Sequence, residues 1–216
     1  MEGIDFTRVI TQFLVLIVSL TVHEAAHAWS ADRLGDSTAR MLGRLSLNPA
    51  VHVDPIGTIL FPLIAMATNL PLIGWAKPVP VNPARLHPHW RQKFMWIAAA
   101  GPASNLVMAL LASIALAVVG PVEASGDFLA SPIAARFEYL LEMAVYVNVL
   151  LALFNMVPVP PLDGGNVLAG MLTGPMADTF DRLRPYGFLI LYGLMLTGML
   201  TTIIGPPASF LLDLLL

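Results

Sequence analysis

The stretch FLVLIVSLTVHEAAHAWS, residues 13–30, joins an apolar run fit for lipid to three ionisable side chains, His23, Glu24 and His27. A lone charge at membrane depth is costly, so such groups close around one another, around a cavity or around an ion. On a helix, residues i and i+4 share a face, which lets His23 and His27 offer imidazole nitrogens to one ion. Glu24, one position on, then reaches a water at that ion rather than the ion itself, as a general base must. A structural reading competes for HEAAH taken alone, with the histidines capping the helix end and reaching for the interface. A catalytic zinc takes three protein ligands and keeps an open position, so the chemical reading needs a third ligand elsewhere.

Composition agrees with a membrane setting. Of 216 residues, 57% are hydrophobic and 12% charged, with a mean hydropathy of +0.76, which indicates a polytopic membrane protein. The absence of cysteine excludes disulfides, thiolate metal sites and a cysteine nucleophile. A net charge of −3 and the lack of any basic run argue against nucleic acid as a partner. No repeat or low-complexity tract interrupts the chain, so one membrane domain over residues 1–216 is expected. The N-terminus mimics a secretory signal, with Arg8, an apolar core and small residues at Ala25–Ala28. Glu2 and Asp5 make a poor basic region, however, and cleavage there would remove HEAAH, so a retained first span is expected.

A span needs ~20 mostly apolar residues. Thr7–Ser30, Phe94–Gly120, Phe137–Val157 and Tyr186–Ile204 qualify; Ile56–Trp75 is interrupted by Pro62, Asn69, Pro71 and Gly74. The fold class expected is an all-α polytopic bundle of four to six transmembrane helices, with short extended or re-entrant segments near the cytoplasmic face. Extended backbone is assigned to PVPVNP, residues 78–83, and an interfacial or bundle-packed position to the tail SFLLDLLL. Arg33, Arg40 and Arg44 follow the first span, Lys77, Arg85, Arg91 and Lys93 precede the second, and Arg182 and Arg184 lie in the last loop. The positive-inside rule puts these loops in the cytoplasm of a plasma-membrane protein. Two successive cytoplasmic loops cannot be joined by one crossing, so Ile56–Trp75 reads as a re-entrant dip or hairpin, against an ordinary fifth span.

The third ligand is sought in FNMVPVPPLDGGN, residues 154–166, where prolines 158, 160 and 161 stop a helix just before Asp163. Broken backbone at membrane depth is tolerated only around a cavity or within protein, although an ordinary helix exit with a turn at LDGG reads equally well in isolation. Two crossings separate HEAAH from Asp163 under the charge-derived topology, which gives them a common depth. In AAGPASN, residues 99–105, Gly101 and Asn105 sit on a small-residue face suited to close helix packing.

HEAAH, GPASN and NMVPVPPLDGG, in this order and spacing, resemble the site-2 protease family of intramembrane zinc metalloproteases. GRLSLNP, HVDPIG and GWAKPVPVNP are similar to its compact bacterial and archaeal branch without PDZ or CBS domains. The resemblance implies a peptidase core of about residues 7–175, followed by a C-terminal helix and tail over 183–216. It implies one Zn2+ per chain, held by His23, His27 and Asp163, with Glu24 as general base to the zinc-bound water that attacks the scissile carbonyl. It assigns Asn155 to the substrate carbonyl or oxyanion, and Gly101 and Asn105 to a GxxxN pattern in the middle core helix. It implies a transmembrane protein as substrate, cut within the bilayer. Because a helix hides its backbone, the substrate must unwind, and the edge at Val79 and Val81 is a place where it could add as a strand.

The remaining polar residues read as structural. His52 suits an interfacial or hydrogen-bonding role, and His87 and His89 flank Pro88 in a solvated basic loop. Glu138 and Glu142 fall at the far end of their span, and Asn148 suits a helix–helix hydrogen bond. The methionines read as packing. Two other functions compete: a membrane metal transporter, which would want further ligands along a path, and an inactive relative acting as a membrane chaperone. The sequence leaves the oligomeric state and the identity of the substrate open.

Overall fold

The computed structural model describes residues 6–61, 63–64, 76–119 and 132–216. Long apolar runs make long helices, because only a helix satisfies its own backbone in lipid. They are α1 (Phe6–Arg33), α3 (Trp90–Val119) and α4 (Pro132–Asn155), each long and apolar enough to cross a membrane. A single turn, α2 (Thr38–Met41), follows α1. After α4 come α5 (Asp163–Met171), α6 (Pro175–Leu183), α7 (Gly187–Leu196) and α8 (Met199–Leu215). No strand occurs among the described residues, so the architecture is the helical membrane bundle expected. The acidic loop around Glu123 and Asp127 lies outside the described residues.

Cross-helix pairs give the topology. Gln12 donates to Tyr139 Oη and Asn148 to Ser19 Oγ, so α1 and α4 run parallel. His27 meets Ile97 and His23 meets Asn105, so α3 runs antiparallel to α1. The inward face of α3 is Ala98, Gly101, Pro102, Asn105, Ala109 and Ala112, a helically spaced run dominated by small residues that lets α1 and α4 approach closely. Its opposite face, with Val107, Leu110, Leu111, Ile114 and Val118 exposed, suits lipid.

The expected fourth span, Tyr186–Ile204, is bent rather than one straight helix. It breaks at Gly198 (φ 72°) into α7 and α8, and α8 leaves at 75° to the preceding helical segment. The left-handed backbone at Gly198 ends a helix in a way open to glycine, and apolar composition does not report such a bend. The tail continues α8 and packs its Leu211, Leu212 and Leu215 on a core of Ala109, Ala112, Val145 and Val149.

Lys77 N–H donates to His52 O at 2.8 Å, so the two flanks of the Ile56–Trp75 stretch touch. Pro62 and residues 65–75, on which the expected re-entrant dip or hairpin falls, lie outside the described residues. From Ala76 a non-helical strap runs alongside α1 in the same direction. Ala76 packs on Leu16 and Leu20, Val79 meets Glu24, and Val81 joins Ala31, Leu86 and Ile97. Asn82 N–H then donates to Asp36 Oδ2 at 2.6 Å.

Candidate metal centre

Three acceptor atoms meet where α1, α3 and α5 converge. His23 Nε2 lies 3.0 Å from His27 Nε2 and 3.1 Å from Asp163 Oδ2, and His27 Nε2 lies 3.4 Å from the same oxygen. Local sequence explains each position. The i, i+4 spacing stacks both imidazoles on the α3 side of α1. The proline-broken stretch after α4 turns the chain so that Asp163 opens α5. That turn is tight: a Cβ on Gly164 would strike the backbone of Met156 and Val157, so only glycine fits there. Gly101 makes the matching space in α3, since a Cβ there would overlap His27 Nε2 and His23 Nε2. Gly101 and Asn105, expected on a packing face, both lie against the histidine pair.

Hydrogen-bond polarity states what this triangle needs. His27 Nδ1 lies 2.7 Å from Ile97 O. A carbonyl only accepts, so Nδ1 carries the proton and Nε2 presents a lone pair. His23 Nδ1 lies 2.6 Å from Asn105 Oδ1, with the same consequence for its Nε2. Two imidazole lone pairs and a carboxylate oxygen therefore face one another with no donor among them, an arrangement that calls for a cation. Zinc–nitrogen and zinc–oxygen bonds of roughly 2.0–2.2 Å at tetrahedral angles give ligand–ligand edges of roughly 3.3–3.6 Å. The observed edges of 3.0–3.4 Å are close to these, and an N2O donor set suits zinc. His23, His27 and Asp163 are the one such group of potential ligands found among the described residues.

Glu24 lies beside this triangle, buried, and accepts from Val79 N–H at 3.0 Å through Oε2. Composition could not have revealed that bond, because it joins a main-chain N–H to a residue 55 positions away. The strap carrying Val79 is tied down along its length: Arg44 Nη2 donates to Lys77 O and Pro78 O, and Asp36 accepts from Asn82 N–H. Burial opposes ionisation of Asp36, but hydrogen bonds from Thr38 and Asn82, with Arg85 nearby, outweigh it and hold the carboxyl below its ordinary range.

Asn155, the last residue of α4, donates from Nδ2 to Leu151 O at 2.9 Å, which leaves one amide N–H for another acceptor. Val79 and Val81, the expected edge for an added substrate strand, are engaged: Val79 N–H on Glu24 and the Val81 side chain in a core cluster. His52 is buried with Nε2 on Ser46 O, a structural anchor of the strap, while His87 and His89 are exposed. Glu138 and Glu142 stand six or more residues before Asn148 on α4, roughly 9–15 Å along the helix from the level of the histidines' support.

Comparisons with known proteins agree with this geometry. Residues 115–196 match peptidase family M50. YwhC of Bacillus subtilis (strain 168), named as a candidate zinc metalloprotease, is 34% identical over 193 residues, covering 89% of this chain and 83% of its own. Rip2 of Mycolicibacterium smegmatis, named likewise, is 32% identical over 184 residues, covering 84% of this chain and 64% of its own. Rip2 of Mycobacterium tuberculosis is 28% identical over 150 residues, covering 68% of this chain and 52% of its own. No solved structure matches at a significant level. With identity of this degree spread over most of both chains and the polar residues converging as described, the chain belongs to peptidase family M50, the site-2 protease type of metallopeptidase.

Proposed function

We propose that this protein is an intramembrane zinc endopeptidase, cutting peptide bonds within transmembrane segments of other proteins. The observation that carries the reading is the convergence of His23 Nε2, His27 Nε2 and Asp163 Oδ2 beside the Glu24 carboxylate. Those three atoms would hold one zinc per chain. When bound, zinc supplies a Lewis acid for the scissile carbonyl and makes hydroxide available near neutral pH.

The chain's own residues do the rest. Glu24 is held through Oε2 by Val79 N–H, while Oε1 makes no hydrogen bond among the described residues. That oxygen takes the proton of the attacking water and returns it to the leaving amine. Asn155, by turning its unengaged N–H toward the site, would donate to the carbonyl oxygen as charge develops there. A substrate helix must unwind to be cut. Pro78 and Pro80 lack N–H groups, so the donors of KPVPV belong to Lys77, Val79 and Val81, which point to one side in an extended chain. Val79 N–H is taken by Glu24 and Lys77 N–H by His52 O, so a substrate strand added along that side would engage Val81 N–H and displace those contacts, next to the catalytic residues.

Arg33, Arg40, Arg44, Lys77, Arg85, Arg91 and Lys93 cluster at the end of the bundle that holds the site, which supports a plasma-membrane protein with its site toward the cytoplasm. The test is zinc content and cleavage of a transmembrane reporter helix, in detergent, for wild type, Asp163→Ala and Glu24→Gln. One zinc per chain in wild type and Glu24→Gln, little in Asp163→Ala, and cleavage by wild type alone are expected. Zinc kept without Asp163 removes the third ligand, and undiminished cleavage by Glu24→Gln removes the base.

A further inference from the structure

Asn105 touches His23, but Asn148 does not; it lies one helix further away, on α4. Both are completely buried, as is Ser19. Asn148 Nδ2 donates to Ala144 O at 2.8 Å and to Ser19 Oγ at 2.9 Å. Asn105 Nδ2 donates to Asn148 Oδ1 at 2.8 Å, with Ser19 O at 3.4 Å on the same side. Asn105 Oδ1 then faces His23 Nδ1 at 2.6 Å.

The direction of this chain is dictated at one end. The carbonyl of Ala144 has no hydrogen to give, so the nitrogen of Asn148 must face it and its oxygen must face Asn105. An oxygen there requires the nitrogen of Asn105, a choice the Ser19 carbonyl also favours. The oxygen of Asn105 is thereby turned to His23, Nδ1 must carry the proton, and Nε2 is left bare toward Asp163. His27 obtains the same tautomer directly from Ile97 O. Among the described residues, the acceptor that His23 Nδ1 meets is not a main-chain carbonyl but the Asn105 side-chain oxygen, oriented through two amides.

We infer that Asn105 and Asn148 form a relay that carries the polarity of the Ala144 carbonyl to His23, making Asn148 a positioning residue of the metal centre across three helices. The inference rests on the reading of His23 as a metal ligand. Groups that orient a metal-bound histidine typically change metal affinity by about 10–100-fold when removed.

The experiment is a zinc dissociation constant by chelator competition, on the full chain in detergent, with folding followed separately by helicity and thermal midpoint of the metal-free protein. Wild type and His23→Ala come first; if wild type binds no zinc, or His23→Ala binds as tightly, the metal-site reading itself is wrong. With that control passed, Asn148→Ala, which removes the acceptor for Asn105, weakens zinc by about 10-fold or more. Asn148→Asp keeps that acceptor and binds zinc more tightly than Asn148→Ala. A packing role predicts the reverse order, because a carboxylate costs more than a small cavity in this buried position. Affinity of Asn148→Ala within twofold of wild type, or Asn148→Asp weaker than Asn148→Ala, overturns the relay. Should the variants not fold, wild type labelled with 15N-histidine and loaded with zinc still decides: His23 must bind through Nε2 and show a protonated, slowly exchanging Nδ1. Coordination through Nδ1 overturns the inference.

Discussion

Gly101 illustrates how much one absent methyl group can matter. Its Cα faces the two imidazole nitrogens that point at Asp163, and any Cβ would occupy their place. Gly101→Ala is therefore expected to weaken zinc binding by at least about 10-fold while leaving the helix intact, since alanine is the better helix former; a dissociation constant near that of wild type would refute it. Val79 acts through its main chain alone. Val79→Pro deletes the N–H that holds Glu24, whereas Val79→Ala keeps it. Cleavage by the proline variant is expected to fall at least about 10-fold with zinc content unchanged, and the alanine variant to stay near wild type. Equal rates for the two would show that the Glu24 contact does not matter to turnover.

At the scale of elements, the strap is the segment whose position depends most on a few polar contacts. Among the described residues it has no strand partner, and its apolar contacts are at Ala76 and Val81. Arg44 and Asp36 fasten its two ends. Asp36→Ala leaves Asn82 N–H and the Thr38 groups without their acceptor, at a cost of about 1–3 kcal/mol, measurable as a lower denaturation midpoint and faster proteolysis near residue 82. Because the folded state holds the Asp36 carboxyl below its ordinary range, its contribution is present above about pH 4 and is lost as the pH falls through its lowered value. Asp36→Asn should flatten that part of the acid profile; an unchanged profile would assign the acid sensitivity to another group. The break at Gly198 belongs to this scale too, since it turns α8 back so that its leucines cover α3 and α4.

For the whole molecule, α1, α3 and α4 form a three-helix frame that gathers buried polar groups at its centre. Ser19, His23, Asn105 and Asn148 are buried at its centre while large apolar side chains cover its outside. This is the arrangement lipid selects, because an unsatisfied polar group in hydrocarbon costs several kcal/mol. The basic loops gather at the metal end and Arg8 stacks near Tyr139 at the other. The chain has no native cysteine, so a single cysteine at Thr38 or Ala84 gives a clean orientation test. Labelling of either position by a membrane-impermeant maleimide is expected in inverted vesicles and not in intact cells; labelling in intact cells would reverse the orientation.

Hydropathy and local spacing alone determined the membrane class, the three long helices, the pairing of His23 with His27 and the helix stop before Asp163. Each depends on properties of residues within a turn or two of one another. The polar residues inside the spans were also visible as anomalies, and Asn148 could be read as a helix–helix hydrogen bond because an amide in lipid has few other options. The tertiary structure alone decided which group each of them meets. That Asn105 meets His23 across 82 residues, that Val79 N–H holds Glu24 across 55, and that Lys77 N–H meets His52 O all depend on distances between elements. No local propensity encodes those distances. The bend at Gly198 escaped for a related reason: apolar content measures how well a segment suits lipid and is the same whether its helix runs straight or turns.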